Sequence, residues 1–326
     1  MQAVFAFMRK NLTWLVIVAM GLGLLKGHFA PMEFSRVICA TAAFIMLYPV
    51  MVNFRLEEGF KNIGGVGRVL ALTLGVNFVI SPLVAALVAW AMLGSQPLAA
   101  AGLLLIGAVP SSGMAIGWLN QFKANVHLGV VLVAANILAT FLIVPLLMPV
   151  ALEHLFRADI EVGSLVIIEK LGFVILIPLT LGWLTRVVLQ RMGRGDLPAK
   201  NRELLNGVAN FGILLVMFLI MSLTDSQSVL SHPHVALLSV PAVAAYYAVM
   251  YFVVTRVIRH ALAPGEALPF FVTTFLRFHI ISLGITIAAF GEIENGIFAS
   301  VPIIVGLLMQ PALASALGRR LARQTT

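Results

Sequence analysis

Charged residues and cysteines are both scarce in this chain, and each shortage excludes a class of protein. Only 10% of the 326 residues are charged and 61% are apolar, whereas soluble domains carry about 25% charged residues. The single cysteine, Cys39, excludes an intrachain disulfide and a multi-cysteine metal site. A lone cysteine with apolar neighbours is most often a packing residue. The composition therefore indicates a polytopic membrane protein.

Motifs of common enzymes and ATP-driven pumps are also missing. The chain has no phosphate-binding glycine loop, no metal-ligand cluster and no nucleotide-binding domain, which argues against a primary pump. Ser112-Gly113 matches part of the intramembrane serine protease motif, but Pro110 stands where the first glycine of that motif should be. No second histidine lies in a comparable apolar run to complete a catalytic arrangement. We therefore expect a protein that is not an enzyme and that holds no metal or other cofactor.

Ten apolar runs are each long enough, at about 20 residues, to cross a bilayer as a helix. A charged connector that contains Glu153, Arg157 and Glu161 separates the first five runs from the last five. The sequence thus predicts an all-α polytopic membrane protein in which residues 1–326 form a single membrane transporter domain. The runs fall at roughly 12–28, 35–54, 68–93, 97–121, 126–150, 163–189, 205–224, 235–258, 268–290 and 297–317.

The lysines and arginines are distributed unequally between the two sides of these runs. Sixteen of the 21 lie on the side of the N-terminus, four lie on the opposite side, and Arg277 lies within a run. Because cytoplasmic loops carry the excess of basic residues, both termini should face the cytoplasm of a bacterial inner membrane. The net charge of +8 then reflects topology and contact with anionic lipid in the bilayer, and no nucleic acid partner is expected.

Five helices in each half would invert the second half relative to the first. This predicts two inverted repeats, one at about 12–150 and the other at about 163–317. A short likeness supports the repeat, since Val144–Leu147 in the fifth run has a counterpart, Gln310–Leu313, 166 residues later in the tenth. Inverted repeats of this kind are typical of secondary transporters.

Two apolar runs contain segments that do not suit an unbroken helix. In the fourth run, Gly107–Met114 contains Pro110, which removes a backbone donor, and Gly113, which loosens the helix. In the ninth run, Leu276–Ser282 contains two ionisable side chains. Lipid tolerates broken helices only where protein or water satisfies the freed backbone groups. Because the two segments occupy corresponding positions of the two halves, they indicate a substrate site near the membrane midplane.

Arg277 is the strongest candidate for binding a substrate. A charged side chain at the bilayer centre costs about 2.5–3.5 kcal/mol on insertion scales, so it normally faces a cavity or a partner. The apolar runs contain no acidic residue that would neutralise it, apart from Glu169 and Asp225 near helix ends. An unpaired arginine would bind an anion through its planar fork of donors. The alternative is a shallow arginine that snorkels to the membrane surface.

Other polar side chains near the two segments are candidates with plain structural alternatives. Ser111, Ser112 and Gly113 would contact the substrate at the first break, although serines also bond to helix carbonyls. Asn136 is an amide inside an apolar run and would also contact the substrate. The alternative role for Asn136, and for the amide of Asn77, is a hydrogen bond between helices. Two further candidates lie in the second segment. Ser282 would contact the substrate, and His279 could carry a proton because an imidazole titrates near neutral pH, or it could be a neutral histidine that bonds to a neighbouring helix.

Several stretches resemble motifs of the bile acid/sodium symporter superfamily, and in particular its arsenical-resistance permease branch. The likeness covers most of the chain. The matching stretches are Met46–Pro49 with Asn53–Arg55 in helix two, Pro110–Met114 with Trp118 in helix four, Leu132–Asn136 in helix five, and Arg277 with Ala289–Gly291 in helix nine.

The resemblance implies a fold and a function. It implies ten transmembrane helices as two inverted five-helix repeats, with helices 4 and 9 broken and crossing. It also implies a secondary active transporter that moves a small organic or inorganic anion by alternating access through a site between those helices, with H⁺ or Na⁺ as the coupling-ion candidate. Arsenite efflux on the same fold is the first alternative, and sodium-coupled symport of a bile-acid-like organic anion is the second.

Some positions depart from the family pattern. Ser111 stands where the arsenical-resistance branch has a cysteine, and a hydroxyl is a poor ligand for a soft metalloid. Arg277 stands where the symporter branch has a sodium-coordinating glutamate, while Ala115 and Ile116 replace its serine and asparagine ligands. A hard cation requires oxygen ligands, and these residues supply none. The departures favour uniport, proton coupling through His279, or exchange.

Overall fold

The computed structural model describes residues 4–5, 7–8, 11–33, 36–53, 66–110, 114–151, 153, 164–222, 231–290 and 295–325. Within these ranges the chain is helical and contains no β-strand, which confirms the all-α prediction for this part. The helices are α1 Leu12–Phe29, α2 Arg36–Asn53, α3 Gly67–Leu93, α4 Pro97–Ala108, α5 Met114–Gln121, α6 Val126–Val150, α7 Ser164–Arg191, α8 Leu197–Lys200, α9 Arg202–Ser222, α10 Pro233–Ala261, α11 Pro264–Phe275, α12 His279–Phe290 and α13 Ser300–Thr325.

Each predicted apolar run coincides with a helix or with two consecutive helices. Four helical segments are long and apolar enough to cross a membrane, and α6 adds a fifth if its two arms, bent by 46°, form one span. The fourth and ninth runs are each divided into two shorter helices, so neither contains one continuous span. A total of ten spans therefore stays a prediction. The four segments, among the described residues, are Gly67–Leu93, Arg202–Ser222, Pro233–Ala261 and Gly296–Arg323.

The chain divides into two compact units, and each takes helices from both halves of the sequence. The first unit comprises Met1–Phe54, Ser164–Pro233 and Leu283–Ile297. In it, α9 packs against α1 and α2, while α7 packs against α2. A glycine makes this packing close, because a Cβ at Gly212 of α9 would lie 2.6 Å from the backbone of Met46. Small residues at such contacts are typical of helices that associate in membranes.

The second unit comprises Arg55–Gly163, His234–Ser282 and Phe298–Thr326. Its centre is formed by the two broken segments, since α4 packs against α3 and α13, and α11 packs against α6 and α13. Every residue from Ala99 to Ala108 is buried, as is every residue from Ala267 to Phe275. Helices α4 and α11 therefore lie in the interior of this unit.

Local sequence explains where α4 begins and ends. Pro97 occupies the first turn, where its missing N–H is not needed, and the alanines and leucines that follow are strong helix formers. The helix ends after Ala108 because Pro110 cannot donate to the carbonyl four residues earlier. The residue before a proline avoids the helical conformation, and Val109 is accordingly extended, with φ −108° and ψ 94°.

Candidate functional site

The two interrupted segments lie side by side in the second unit. Pro110 and Arg277 form an isolated antiparallel bridge, and the N–H of Phe278 donates to the carbonyl of Val109 at 3.2 Å. Each extended segment thus supplies hydrogen-bond partners that the other lacks, as a buried backbone requires. We call Val109–Pro110 together with Leu276–Phe278 the crossing. The two breaks therefore meet at one place in the second unit.

The Arg277 side chain lies at the crossing and is only 1% exposed. Its Nη1 donates to the carbonyl of Gly107 at 3.3 Å, and its Nη2 donates to the carbonyl of Thr274 at 2.5 Å. Gly107 is the penultimate residue of α4, and Thr274 is the penultimate residue of α11. Carbonyls in the last turn of a helix lack partners within the helix and carry its negative partial charge. The guanidinium therefore joins the C-terminal ends of both helices.

The positive charge of Arg277 has no acidic counterpart in the part of the chain that the structure describes. The centre of its guanidinium lies 6.0 Å from the centroid of the Tyr246 ring, a distance at which a cation is attracted to an aromatic face. Its Nε is buried without a hydrogen-bond partner. Part of the donor fork is therefore held by protein carbonyls, and part of it is open to a further acceptor.

Gln310 of α13 holds the backbone of Arg277 in its extended form. The N–H of Arg277 donates to Gln310 Oε1 at 2.6 Å, and Gln310 Nε2 donates to the carbonyl of Arg277 at 3.1 Å. The side-chain amide thus pairs with the backbone as a neighbouring strand would. Leu276–Phe278 contains neither proline nor glycine, so this tertiary pairing, rather than a local signal, is what satisfies the second break.

His279 belongs to the same hydrogen-bonded network. Tyr247 of α10 donates its hydroxyl to Gln310 Oε1 at 2.9 Å, and the same hydroxyl lies 3.1 Å from His279 Nε2. The other ring nitrogen, Nδ1, is buried without a partner. Gly306 leaves room for the ring, since a Cβ there would lie 2.4 Å from His279 Nε2. Arg277 and His279 are thus linked through Gln310 and Tyr247, although α12 resumes at His279 and only Arg277 is in the unwound part.

A group of amides caps the end of α11 on its other side. Asn136 Nδ2 donates to the carbonyl of Thr273 at 3.2 Å, and Asn77 Nδ2 donates to the same carbonyl at 3.0 Å and to Asn136 Oδ1 at 3.1 Å. Asn77 lies in a π-helical turn, Val76–Ile80, and such turns occur frequently at functional sites. Asn77 Oδ1 and Thr73 Oγ1 are buried without a partner.

Two serines bond to the carbonyls at the end of α4. Ser81 of α3 donates to the carbonyl of Gly107 at 2.7 Å, and its oxygen lies 2.8 Å from the hydroxyl of Tyr246. Ser282 lies within hydrogen-bonding distance of the carbonyl of Leu105, at 3.4 Å, and of its own helix at Phe278, at 3.3 Å. Side chains from several helices therefore satisfy the carbonyls that the broken helices expose.

The structure brings most of the predicted residues to one region. Arg277, His279 and Ser282 lie at or beside the crossing, and Pro110 forms the first break. Asn136 caps α11 with Asn77. The remaining predicted residues lie outside the described ranges: Ser111, Ser112 and Gly113.

Sequence reasoning missed four side chains of the site, one of which is Ser81 of α3. Tyr246 and Tyr247 are adjacent phenols in an apolar run, and Gln310 is an amide that precedes Pro311 in another. A buried hydroxyl or amide needs a partner, and that requirement was the available signal. The partners themselves lie on helices distant in sequence. No group of three or more His, Cys, Asp or Glu that could hold a metal occurs among the residues described.

A family model described as the Sodium Bile acid symporter family matches residues 40–231, which is more than half of the chain. The chain belongs to this family. This sodium/bile acid symporter family protein is also similar to the arsenical-resistance protein Acr3 of Corynebacterium glutamicum, with 25% identity over 269 residues that cover 76% of this chain and 71% of the relative. The resemblance to the superfamily and to its arsenical-resistance branch is thus confirmed.

Membership gives the coarse function. The protein is a multi-pass membrane protein and a secondary transporter, and it is not an enzyme. The matched range includes the first break at Pro110 and the amides of Asn77 and Asn136. The second break, with Arg277 and Gln310, lies beyond that range.

Proposed function

We propose that this protein moves a small organic or inorganic anion across the bacterial inner membrane by alternating access around the crossing. Arg277 is the observation that carries the proposal, because its side chain is 1% exposed and pairs with no carboxylate in the described residues. A buried cation in a membrane protein normally serves a substrate or an ion pathway. A soluble anion would complete the pairing that the protein leaves open.

The donors of Arg277 support binding of an anion. A guanidinium carries five N–H groups in a fixed fork that matches a carboxylate or an oxyanion. The two terminal nitrogens of Arg277 each donate one bond, to the carbonyls of Gly107 and Thr274, and Nε has no partner. The donors that are left suit a planar or tetrahedral oxyanion, since hydrogen bonds between two ionised groups are the strong ones.

The wider site and architecture belong to the same proposal. Ser111, Ser112 and Gly113 at the first break, together with Asn136 and Ser282, provide the polar contacts to the substrate. Ten helices in two inverted repeats place both termini in the cytoplasm. Exposed arginines at the end of α13 agree with that orientation, because basic residues are enriched on the cytoplasmic side. These are Arg319, Arg320 and Arg323.

His279 is the proposed proton carrier. Its Nε2 lies within hydrogen-bonding distance of the Tyr247 hydroxyl, and its Nδ1 has no partner. A ring with one nitrogen held and the other open can take up a proton and release it. Because Tyr247 also donates to Gln310, which holds the Arg277 backbone, a change at His279 would reach the anion site through three hydrogen bonds.

Substrate binding can be tested on the purified protein. A panel of organic and inorganic anions is screened by thermal shift, since a ligand that binds only the native state raises the melting temperature with occupancy. Hits are then tested for counterflow in liposomes. Arg277→Ala should abolish both the shift and the counterflow, while Arg68→Ala, a change at an exposed arginine of the same unit, should preserve both. An unchanged anion-induced shift in folded Arg277→Ala protein would reject the site.

Arsenite efflux is the second candidate, and the similarity to the arsenical-resistance protein of C. glutamicum favours it. It predicts that expression confers arsenite resistance on a sensitised strain. Ser111→Cys should raise that resistance, because a thiolate binds a soft metalloid better than a hydroxyl does. Ser112→Cys is the matched control. If neither the natural protein nor Ser111→Cys changes arsenite tolerance, this candidate is removed and the anion proposal stands.

A further inference from the structure

The family to which this chain belongs is named for sodium symport, so the crossing is compared with the requirements of a sodium site. A hard cation binds through several oxygen ligands. Two carbonyls at the helix ends that meet at the crossing already accept hydrogen bonds from side chains. The carbonyl of Gly107 accepts from Arg277 and Ser81, and the carbonyl of Thr274 accepts from Arg277. The carbonyl of Thr273 accepts from the amides of Asn77 and Asn136. The residues at the crossing do not fit a sodium ion.

We infer that Arg277 is a tethered cation that performs the electrostatic role of a bound sodium ion, so that this protein's stability and substrate binding are independent of sodium. The inference concerns the coupling of the proposed transport, and its first test needs no substrate.

The charge balance at the crossing supports this role. The C-terminal end of a helix carries a partial charge equivalent to about −0.5. The ends of α4 and α11 both present a last-turn carbonyl to the same guanidinium, and together they amount to about −1. One arginine supplies the compensating charge. A second cation at the same carbonyls would meet the guanidinium as a like charge and gain little.

The arginine is also held in place, as a permanent substitute for an ion must be. Gln310 bonds to both the N–H and the carbonyl of Arg277, which fixes the backbone from which the side chain extends. The guanidinium then bonds to carbonyls of two different helices and lies 6.0 Å from the Tyr246 ring centroid. A diffusible ion could leave the site, but this cation cannot leave without unfolding the crossing.

Among the described residues, two buried side-chain oxygens without a hydrogen-bond partner are competing ligands for a cation. Asn77 Oδ1 and Thr73 Oγ1 are both buried on α3. A pair of neutral oxygens supplies fewer ligands than the roughly six or more that a hard cation prefers. They define the alternative that the experiment must exclude, because a sodium ion bound there would be independent of Arg277.

The first experiment measures the melting temperature of the purified full-length protein in detergent. Sodium chloride is compared with potassium chloride and N-methyl-D-glucamine chloride at equal ionic strength. We expect shifts between salts below about 1 °C, because an ion that does not bind the native state cannot stabilise it. A saturable rise specific to sodium would overturn the inference. If Asn77→Ala then removed that rise, the pair on α3 would be its site.

The second experiment removes the Arg277 guanidinium and then adds a cation in solution to replace it. Arg277→Ala should lower the melting temperature by several degrees, and millimolar guanidinium or sodium should restore part of the loss in that variant alone. Arg277→Lys should keep the charge and need no added ion, and Arg68→Ala is the control for loss of an arginine. Arg277→Gln is the second neutral variant, used if Arg277→Ala does not fold. If no cation, guanidinium included, stabilises a folded neutral variant more than the natural protein, the tethered-cation role is rejected.

The third experiment connects this inference to transport. Counterflow of an anion identified by thermal shift should proceed at the same rate with sodium or N-methyl-D-glucamine on both sides of the liposome membrane. A requirement for sodium would overturn the inference while leaving anion transport in place. Conversely, failure of every anion to bind would reject the proposed function without affecting the two stability measurements.

Discussion

The break at Pro110 and the break at Leu276–Phe278 lie side by side at the crossing but use different chemistry. The first is produced locally, because Pro110 cannot donate and forces Val109 into an extended conformation. The second contains no proline or glycine, and the amide of Gln310 pairs with the backbone of Arg277 instead. The first break can be recognised from its own residues, whereas the second depends on a distant helix.

The two breaks also differ in the charge that they bring to the crossing. The first contributes the carbonyl of Gly107, a negative helix end, and the second contributes both a negative helix end and the cation that binds the two. The predicted repeat aligns Gln310 with Val144, which has no polar group to offer. The two broken helices are thus chemically different, and the compensating charge comes from the second half of the chain alone.

The strongest test of this comparison substitutes one residue in each break and compares the two variants. Arg277→Ala removes the donor to Thr274, and an unsatisfied buried carbonyl costs about 1–3 kcal/mol, in addition to the lost anion site. We expect transport to fall by at least about 100-fold. Pro110→Ala removes no hydrogen bond and should cost only about 0.4–1 kcal/mol through the unfolded chain. Counterflow and thermal melting of both variants measure the contrast, and equal losses would show that the breaks are equivalent.

The next largest effect should come from Gln310→Leu. This change keeps the volume but leaves the N–H and the carbonyl of Arg277 without their partners, each at about 1–3 kcal/mol. We expect a lower melting temperature and a loss of transport of about tenfold or more. Val144→Ala, at the position that the predicted repeat aligns with Gln310, is the control for packing. If Val144→Ala reduced transport as much as Gln310→Leu does, Gln310 would be a packing residue only.

Gly306→Ala should have an intermediate effect. The added Cβ would lie 2.4 Å from His279 Nε2, so the imidazole must move away from the Tyr247 hydroxyl. We expect an altered pH dependence of counterflow, with a destabilisation of about 1–3 kcal/mol, typical of overpacking. Gly75→Ala is the matched control, because a Cβ at Gly75 meets nothing within 4 Å. An unchanged pH profile in Gly306→Ala would argue against a proton carried by His279.

The smallest effect should come from the ion pair between α3 and α11. Arg68 Nη2 lies 3.0 Å from Glu266 Oε2, and the Arg68 side chain is 64% exposed. Exposed pairs of this kind contribute about 0–1 kcal/mol. Glu266 also accepts from the N–H of Ala263 at 2.9 Å, so the start of α11 retains its cap in Arg68→Ala. The melting temperatures of Arg68→Ala and of the unsubstituted protein should be nearly equal at both low and high salt. A fall in melting temperature as large as that of Arg277→Ala would contradict a special role for the crossing.

Sequence reasoning placed the helices well because lipid imposes simple rules on them. An apolar run of about 20 residues satisfies its backbone internally and becomes a helix. Each predicted run accordingly contains helix, and Pro110 stops α4 where a proline must. The interpretation of the second break was less complete, since the unwound part is Leu276–Phe278 and helix resumes at His279. The number of spans and the inverted arrangement of the halves stay predictions.

By itself, the sequence determined that this chain is a helical membrane protein with two interrupted helices and an arginine within an apolar run. Periodicity, composition and proline placement act over a few residues, and the order of residues is sufficient to show them. The tertiary structure decided which groups satisfy that arginine. Buried polar groups must find partners, but Gly107, Thr274 and Gln310 reach Arg277 from three different helices. Such pairings depend on how the helices pack, and no local rule specifies them.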